Sequence, residues 1–460
     1  MNQAIQKAYK LREAGEPDEA MRLCSAVLND APHDVEALFC VGLILIGSER
    51  FGLAANIFAR CVQLAPDSHE ALTNFALSLI SLNEFKESEQ ILHRVLKQHP
   101  DYAPALNNMA LLKVNMVNPK AALEYGARSL AVNPNQSDVL ESMGYAKLMI
   151  GDWDGWAGYE AMINTSKYRK HKPLGKEPYW KGEKNGRIYI KGEQGIGDEI
   201  SFASILADAA KDNDIIFDCG EKLEGLFRRS FPDIEVYGTR NNPNKPWRDW
   251  RTIDYSCLIG TLAYHYRNAD SEFPGKPYLI PDPERVTQWK SLLNTLPGQK
   301  VGIAWTGGQK NTFAERRSMT LEDMLPILKT PGITWVSLQY KDPTAEIRAL
   351  ERKHGIKIHH WKRAAESQDY DDVAALVASL DCVVSVQTAL VHLCGALGVK
   401  CFTLISNKPR WFYQISGKKL PWYESVELYR QTDKWPLESV RERLQKFTEP
   451  LTKLVDYHPV

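Results

Sequence analysis

The chain has 460 residues, of which 44% are hydrophobic and 25% are charged. At about 100–200 residues per domain, this length predicts roughly three domains with cores of ordinary size. The 57 Lys and Arg residues balance 57 Asp and Glu residues, so the formal net charge is zero. A neutral chain has no overall electrostatic attraction for nucleic acid, and we expect no nucleic-acid partner.

The amino-terminal stretch lacks the apolar segment and the cleavage pattern of a signal peptide. The longest apolar run, Leu38 to Ile46, is far shorter than the about 20 residues that span a bilayer. The eight cysteines contain no CxxC pair and lie mostly in apolar stretches, which favours buried free thiols. The sequence therefore predicts a cytoplasmic protein without a transmembrane segment.

The first part of the chain is repetitive. Its marker prolines, each 34 residues from the next, are Pro32, Pro66, Pro100 and Pro134. Leucines and small residues recur in phase, as expected for pairs of amphipathic helices that cross closely and end at the proline. This tetratricopeptide pattern predicts full repeats at 35–68, 69–102 and 103–136, a first repeat at the terminus, and a fifth that decays after Lys147. Such repeats bury their apolar faces only when they are stacked.

Beyond Gly151, aromatic residues lie among glycines and prolines, and the helical periodicity ends after about Met162. Rings such as Trp153, Trp156 and Trp180 are rare in exposed flexible linkers. We therefore predict a capping helix followed by a connector that packs against the next domain.

From Arg187 onward, short β-rich runs alternate with helical stretches, which predicts parallel, doubly wound sheets. The remaining length suits two such lobes, with a boundary near Pro281–Pro297. The predicted fold is an α-helical solenoid followed by α/β lobes. The predicted segments are a repeat domain at 1–165, a connector at 166–186, a first lobe at 187–290, a second lobe at 291–435, and a final helix at 436–460 that packs back on the first lobe.

A glycine-containing turn follows the first predicted strand. Gly195 and Gly197 leave the backbone open to a ligand at the carboxyl end of the strand, where open α/β sheets bind their ligands. Asp198 falls at the start of the next helix, where the simpler interpretation is a helix cap. The spacing does not match GxGxxG, so no dinucleotide fingerprint is predicted.

Two stretches in the second lobe suit an anion. Thr388 and His392 share one face of a predicted helix, in the first turn that attracts phosphate; the alternative is a capping threonine and a packed histidine. Thr306 begins a glycine turn, and Arg317 follows it, which suits an anionic ligand unless the stretch is an exposed basic loop. The Asp-Asn-Asp run at 212–214 lies at a helix-to-strand turn, and we predict no metal there.

The order of these landmarks resembles that of tetratricopeptide proteins with a C-terminal domain of glycosyltransferase family 9, the ADP-heptose:lipopolysaccharide heptosyltransferase family. The motifs that carry the resemblance include Gly151-Asp152-Trp153, Trp180-Lys181-Gly182-Glu183, Glu193-Gln194-Gly195-Ile196-Gly197-Asp198, Pro277-Tyr278-Leu279, Gly302-Ile303-Ala304-Trp305, Arg317-Ser318, Ser337-Leu338-Gln339, Thr388-Ala389-Leu390-Val391-His392 and Pro421-Trp422-Tyr423. Their shared order, from Gly151 to Gln431, is far more specific than any single motif.

The resemblance implies a GT-B fold with two Rossmann-like lobes, the acceptor on the first and a nucleotide-sugar on the second, and no metal or other cofactor. It implies that Asp198 is the general base, on a glycine loop that faces the acceptor. The residues that it assigns to the nucleotide-sugar are Thr306, Arg317, Gln339, Thr388, Ala389 and His392. The implied reaction transfers a sugar from a nucleoside diphosphate to a hydroxyl of a glycan, a lipopolysaccharide-like molecule or a protein.

The sequence departs from the family at the second lobe. The family usually has Val-Asp-Thr where Gln387 stands, and an Asp followed by Trp-Arg-Trp where Arg410 and Phe412 stand. These changes support a second hypothesis, a tetratricopeptide protein-binding scaffold with a degenerate, inactive transferase domain. In either case the repeats are expected to hold the acceptor or a separate protein partner.

Overall fold

The computed structural model describes residues 2–163, 169–247, 252–308, 314–365 and 369–452. The start of the predicted connector, 166–168, and the end of the predicted final helix lie outside the described residues. The chain divides into two compact units, residues 1–162 and 163–460. Among the described helices, none is both long and apolar enough to cross a membrane.

The described part of the first unit consists of ten helices, which pair in chain order. They are α1 (Gln3–Glu13), α2 (Pro17–Asp30), α3 (Val35–Gly47), α4 (Phe51–Leu64), α5 (His69–Ser81), α6 (Phe85–Gln98), α7 (Ala103–Asn115), α8 (Pro119–Val132), α9 (Ser137–Met149) and α10 (Gly155–Ala161). The second, third and fourth pairs coincide with the three predicted full repeats. The predicted decay corresponds to α10, which has only 7 residues.

Three arginines make the same contact in successive repeats, which the sequence analysis did not predict. Each lies on the second helix of a pair and donates to the proline carbonyl 28 residues earlier. The pairs are Arg60 with Pro32 at 2.8 Å, Arg94 with Pro66 at 2.9 Å, and Arg128 with Pro100 at 2.7 Å. The contact satisfies a carbonyl in the turn after a helix, where no helical partner exists.

The last helix pair crosses at glycines. A Cβ atom on Gly144 of α9 would lie 2.8 Å from the Gly155 carbonyl oxygen and 2.8 Å from the Gly158 Cα of α10. Both neighbours are backbone atoms, which cannot rotate away. Glycine at this crossing therefore sets how closely the two helices approach.

We predict that Gly144→Ala lowers the free energy of unfolding of the repeat unit by about 1–3 kcal/mol, because the added methyl group overpacks the crossing. Gly52→Ala is the matched control, since a Cβ there meets no atom within 4 Å. Urea unfolding of the full chain, followed by circular dichroism, measures both. Equal midpoints for the two variants would contradict the close crossing.

The second unit begins with a small parallel sheet, the first lobe. Its strands are β1 (Arg187–Lys191), β2 (Asp214–Asp218), β3 (Glu235–Tyr237) and β4 (Tyr255–Leu258), in the order β3-β2-β1-β4. Its helices are α11 (Ile196–Ala203), α12 (Leu206–Ala209), α13 (Glu224–Ser230) and α14 (Thr261–Tyr266). The connector packs here: Trp180 is 1% exposed, and its backbone N–H donates to the Ser256 carbonyl at 3.0 Å.

The second lobe contains a seven-stranded sheet within the described residues, in the order β10-β11-β9-β8-β5-β6-β7. The strands are β5 (Gln299–Ala304), β6 (Ile333–Ser337), β7 (Ile358–His359), β8 (Cys382–Val386), β9 (Cys401–Ile405), β10 (Lys419–Leu420) and β11 (Tyr423–Arg430). Only β10 pairs antiparallel among these. The central strands β8 and β9 are buried throughout, as expected when both faces of a parallel sheet are covered.

The helices of this lobe correct one predicted boundary and one predicted packing contact. They are α15 (Pro283–Leu293), α16 (Leu325–Leu328), α17 (Thr344–His354), α18 (Lys362–Ala365), α19 (Tyr370–Val377), α20 (Ala389–Leu397) and α21 (Leu437–Thr452). Helix α15 crosses the predicted boundary at 290 and belongs to the second lobe, because Trp289 Nε1 donates to Asp372 Oδ1 at 2.9 Å. Val440 and Leu444 of α21 are buried in the second-lobe core. The prediction that the final helix packs on the first lobe is therefore wrong for these residues.

Candidate active site

The two lobes meet where helices α11 and α20 begin. Each helix follows a parallel strand, α11 after β1 and α20 after β8. A Cβ atom on Gly197 would lie 3.3 Å from Ala389 Cα and 3.2 Å from His392 Cδ2. Glycine therefore allows the two helix starts to approach to van der Waals distance. Both helix amino termini carry partial positive charge, so their convergence favours an anion between the lobes.

Asp198 is the third residue of α11. Its carboxylate accepts a hydrogen bond from the Gly195 backbone N–H at 3.0 Å, which closes the first helical turn. The N-cap residue is Gly195, and Asp198 is the third helical residue, whose side chain bonds back to the N-cap backbone. The side chain is partly exposed. The proposed role as general base stays a prediction, and the capping contact exists alongside it.

The start of α20 is organised by Thr388, which caps the helix and accepts from the Leu390 N–H at 3.2 Å. Ala389 is its first residue. His392 lies one turn further on and is 5% exposed. Its Nδ1 is 2.8 Å from the Ser201 hydroxyl of α11, so the imidazole bonds across the lobes.

Burial, aided by the nearby charge of Arg410, lowers the pKa of His392 to about 3. The ring is therefore neutral at physiological pH. The structure places the ring between the lobes, where it is packed against neighbouring side chains. A packed histidine was the alternative to a phosphate contact in the sequence analysis. Its contact with a phosphate stays a prediction.

Gln339 follows strand β6 and is 3% exposed. Its side-chain oxygen accepts from the Trp305 N–H at 3.3 Å and from the Thr306 N–H at 3.2 Å. Its amide nitrogen donates to the Thr306 hydroxyl. Gln339 therefore holds the loop that begins at Thr306, which makes it a positioning residue for that loop.

Arg317 lies beside the same loop and is 8% exposed. Its Nη1 donates to the Gln387 carbonyl at 3.4 Å. A Cβ atom on Gly308 would lie 2.1 Å from Arg317 Nη2, so the guanidinium rests against the glycine backbone. Burial and the neighbouring Arg410 lower the pKa of Arg317, and Asp198 acts in the opposite direction. A Cβ atom on Gly307 would lie 2.5 Å from Thr388 Cγ2, so the loop beside Arg317 also contacts the start of α20.

The residues that depart from the family are integrated into the packing. Gln387 is 1% exposed, donates to the Ser406 hydroxyl at 3.1 Å, and accepts from the Arg410 N–H at 3.4 Å. The Phe412 ring lies 5.8 Å from that of Phe202 of the first lobe. Ser201 and Phe202 were not predicted as site residues, because no pattern in α11 indicates a partner in the other lobe.

The positive charge of this site comes from Arg317 and Arg410, since His392 is neutral. Within the described ranges, no group of three or more His, Cys, Asp and Glu side chains is placed to hold a metal ion. The arrangement can bind an anion through helix starts and a guanidinium, with a carboxylate close by.

Comparison with known proteins identifies part of the first unit. A family described as tetratricopeptide repeat matches residues 45–112, so these residues are tetratricopeptide repeats. Solved structures similar to this unit include a crystal structure of MamA (22% identity over 35% of this chain and 84% of that chain, TM-score 0.28). Another is YrrB, titled a TPR protein with an unusual peptide-binding site (17% identity over 31% of this chain and 74% of that chain, TM-score 0.27).

A longer similarity is to Protein FlbA of Caulobacter vibrioides. The two are 32% identical over 294 residues, which are 60% of this chain and 49% of FlbA. The chain thus spans about half the length of the curated relative that it matches. The name FlbA states no activity.

Proposed function

We propose that this protein is a metal-independent glycosyltransferase of the GT-B kind that transfers a sugar from a nucleoside-diphosphate sugar to an acceptor hydroxyl. The observation that carries the proposal is the convergence of the Asp198 turn with the Thr388 helix start, beside which the Arg317 guanidinium bonds to the Gln387 carbonyl. Each lies at the carboxyl end of a parallel strand or in the loop that follows it, where such sheets bind ligands.

In the proposed reaction, Asp198 accepts the proton of the acceptor hydroxyl as its oxygen bonds to the anomeric carbon of the sugar. The bond from that carbon to the diphosphate breaks, and the diphosphate takes the electron pair. The helix start at Thr388 and Ala389, together with the guanidinium of Arg317, stabilises the growing negative charge. Fixed protein charges thereby supply what a metal supplies in other transferases.

Several neighbours position these groups without touching the reacting atoms. Gln339 fixes the Thr306 loop through four hydrogen bonds. Gln387 joins the loops that follow β8 and β9. His392 holds the α20 start against α11 through Ser201. Such supporting contacts lower the cost of orienting the site for each turnover.

The second candidate function is a protein-binding scaffold with an inactive transferase domain. It is favoured by Phe412, whose ring centroid lies 5.2 Å from that of His392 and close to Phe202, so aromatic side chains fill part of the space between the lobes. The resemblance places an arginine at Phe412. Without the positive charge of that arginine, the second lobe would bind the diphosphate of a nucleotide-sugar more weakly.

The repeats support a protein partner under both proposals. Stacked tetratricopeptide repeats present extended surfaces suited to peptides and proteins. Residues 1–162 contain 13 Lys and Arg residues against 20 Asp and Glu residues. This excess of negative charge favours a partner with a basic surface, which is either the acceptor or a separate protein.

Calorimetric titration of the full chain with ADP, UDP, GDP and CDP tests the proposal. We expect saturable binding of one diphosphate that EDTA does not abolish, and slow hydrolysis of the matching sugar nucleotide. The nucleosides without phosphate serve as controls. Absence of binding to every diphosphate, together with absence of hydrolysis, would favour the scaffold.

A further inference from the structure

The first lobe carries a second group of charged residues at the carboxyl edge of its sheet. Lys191 is the last residue of β1, and Asp218 is the last residue of β2. Arg240 lies in the segment after β3. Because these strands are parallel and adjacent, their ends lie together at the edge where ligands bind.

Two buried carboxylates in this group are already paired. Asp218 is fully buried, and it accepts from Lys245 Nζ at 2.6 Å and from the Thr239 N–H at 3.0 Å. Glu199 is also fully buried, and its Oε1 lies 2.8 Å from Arg240 Nη1. Each buried carboxylate thus has a cation beside it, and burial nevertheless raises the pKa of Glu199 to about 7.

Lys191 is a further cation of this group, and it belongs to neither of these two pairs. Its Nζ makes no hydrogen bond or ion pair with any residue in the described ranges. The side chain is half-buried, and burial lowers its pKa, as do the nearby charges of Lys245, Arg240 and Lys172, while Asp218 raises it. The cluster therefore has a residual positive potential at Lys191, which a bound anion would relieve.

We propose that Lys191, assisted by Arg240, binds an anionic group of the acceptor, either a phosphate or a carboxylate. That this group belongs to the acceptor rests on the glycosyltransferase function proposed above. A lysine ammonium and a guanidinium are the side chains that bind phosphate and carboxylate oxygens most strongly.

The position of the cluster fits an acceptor. Lys191 and Asp198 lie on either side of the glycine turn that follows β1, at the same carboxyl edge of the sheet. Glu199, which holds Arg240, directly follows Asp198 in α11. The anion contact and the proton acceptor are thereby supported by the same first turn of the helix.

Labelling with pyridoxal 5′-phosphate tests the site without any need for turnover. Its aldehyde forms a Schiff base with a free lysine amine, borohydride reduction fixes the product, and its phosphate is the probe for the anion site. Peptide mass spectrometry compares Lys191 with Lys181, an exposed lysine of the connector. We expect Lys191 to be labelled faster than Lys181, because burial lowers its pKa and leaves more free amine.

Inorganic phosphate and acetate are added separately, against sodium chloride at equal ionic strength. The anion that protects Lys191 better indicates which group, phosphate or carboxylate, the acceptor carries. The double variant Glu199→Gln/Arg240→Gln, which leaves no buried carboxylate unpaired, should lose the protection. Arg228→Gln, at an exposed arginine of α13, should keep it.

The wild-type measurement decides the matter even where the double variant does not fold. Labelling of Lys191 no faster than Lys181, or protection no greater than that by chloride, would overturn the proposal. If the protein shows no transferase activity but the added anion still protects Lys191, the glycosyltransferase proposal fails while the anion site stands.

Discussion

Replacing Asp198 by Asn is expected to lower the rate of sugar transfer by about 10²–10⁴-fold, because the variant loses the proposed proton acceptor. The fold should be retained. Asparagine keeps an oxygen that can accept the hydrogen bond now donated by the Gly195 N–H at 3.0 Å. The first turn of α11 and its contact with α20 should therefore remain in place.

Three measurements on the same protein separate the base from the cap: transfer rate, melting temperature and nucleotide affinity. The affinity should not change, since the proposed donor residues Thr388 and Arg317 lie on the second lobe. Asp233→Asn is the matched control, because Asp233 is an exposed carboxylate of the first lobe. Near-normal transfer with a normal melting temperature would leave Asp198 as a capping residue only.

The strands that were predicted from the sequence share one property, a short continuous apolar run. Strands β1, β5, β8 and β9 are buried on both faces, so their composition alone separates them from the helices. Strand β11, Tyr423–Arg430, was missed because several of its positions are exposed or only partly buried and carry polar side chains, such as the exposed Glu424 and the partly buried Glu427. Its pairing with β9 depends on tertiary packing, which no local sequence pattern shows.

The same limit applies to the site. The sequence correctly placed Asp198 in the first turn of a helix and Thr388 at a helix start, because caps and turns are local features. It could not show that Gln339 bonds to Thr306, 33 positions away, or that His392 bonds to Ser201, 191 positions away. These contacts depend on which elements pack together.

The charged group around Lys191 was missed for a different reason. The net charge of zero conceals an uneven distribution, since residues 163–460 contain 44 Lys and Arg residues against 37 Asp and Glu residues. A count for each domain would have shown the excess. It would not have located Lys191, because the pairing of Asp218 with Lys245 and of Glu199 with Arg240 is visible only in three dimensions.

Replacing Arg317 by Ala is expected to weaken binding of the nucleoside diphosphate by roughly 10- to 150-fold, the typical cost of losing a charge-assisted hydrogen bond. Arg348→Ala, at an exposed arginine of α17, is the matched control and should bind normally. Arg317→Lys should be intermediate, because lysine keeps the charge but loses the planar fork of donors.

Arg317 also holds two loops together, so the variant must be separated from a structural defect. Affinity for the nucleoside without phosphate makes this separation. If Arg317 contacts the phosphates, Arg317→Ala loses affinity for the diphosphate while affinity for the nucleoside stays the same. If it only supports the loops, both affinities and the melting temperature fall together. Unchanged diphosphate affinity would remove Arg317 from the site.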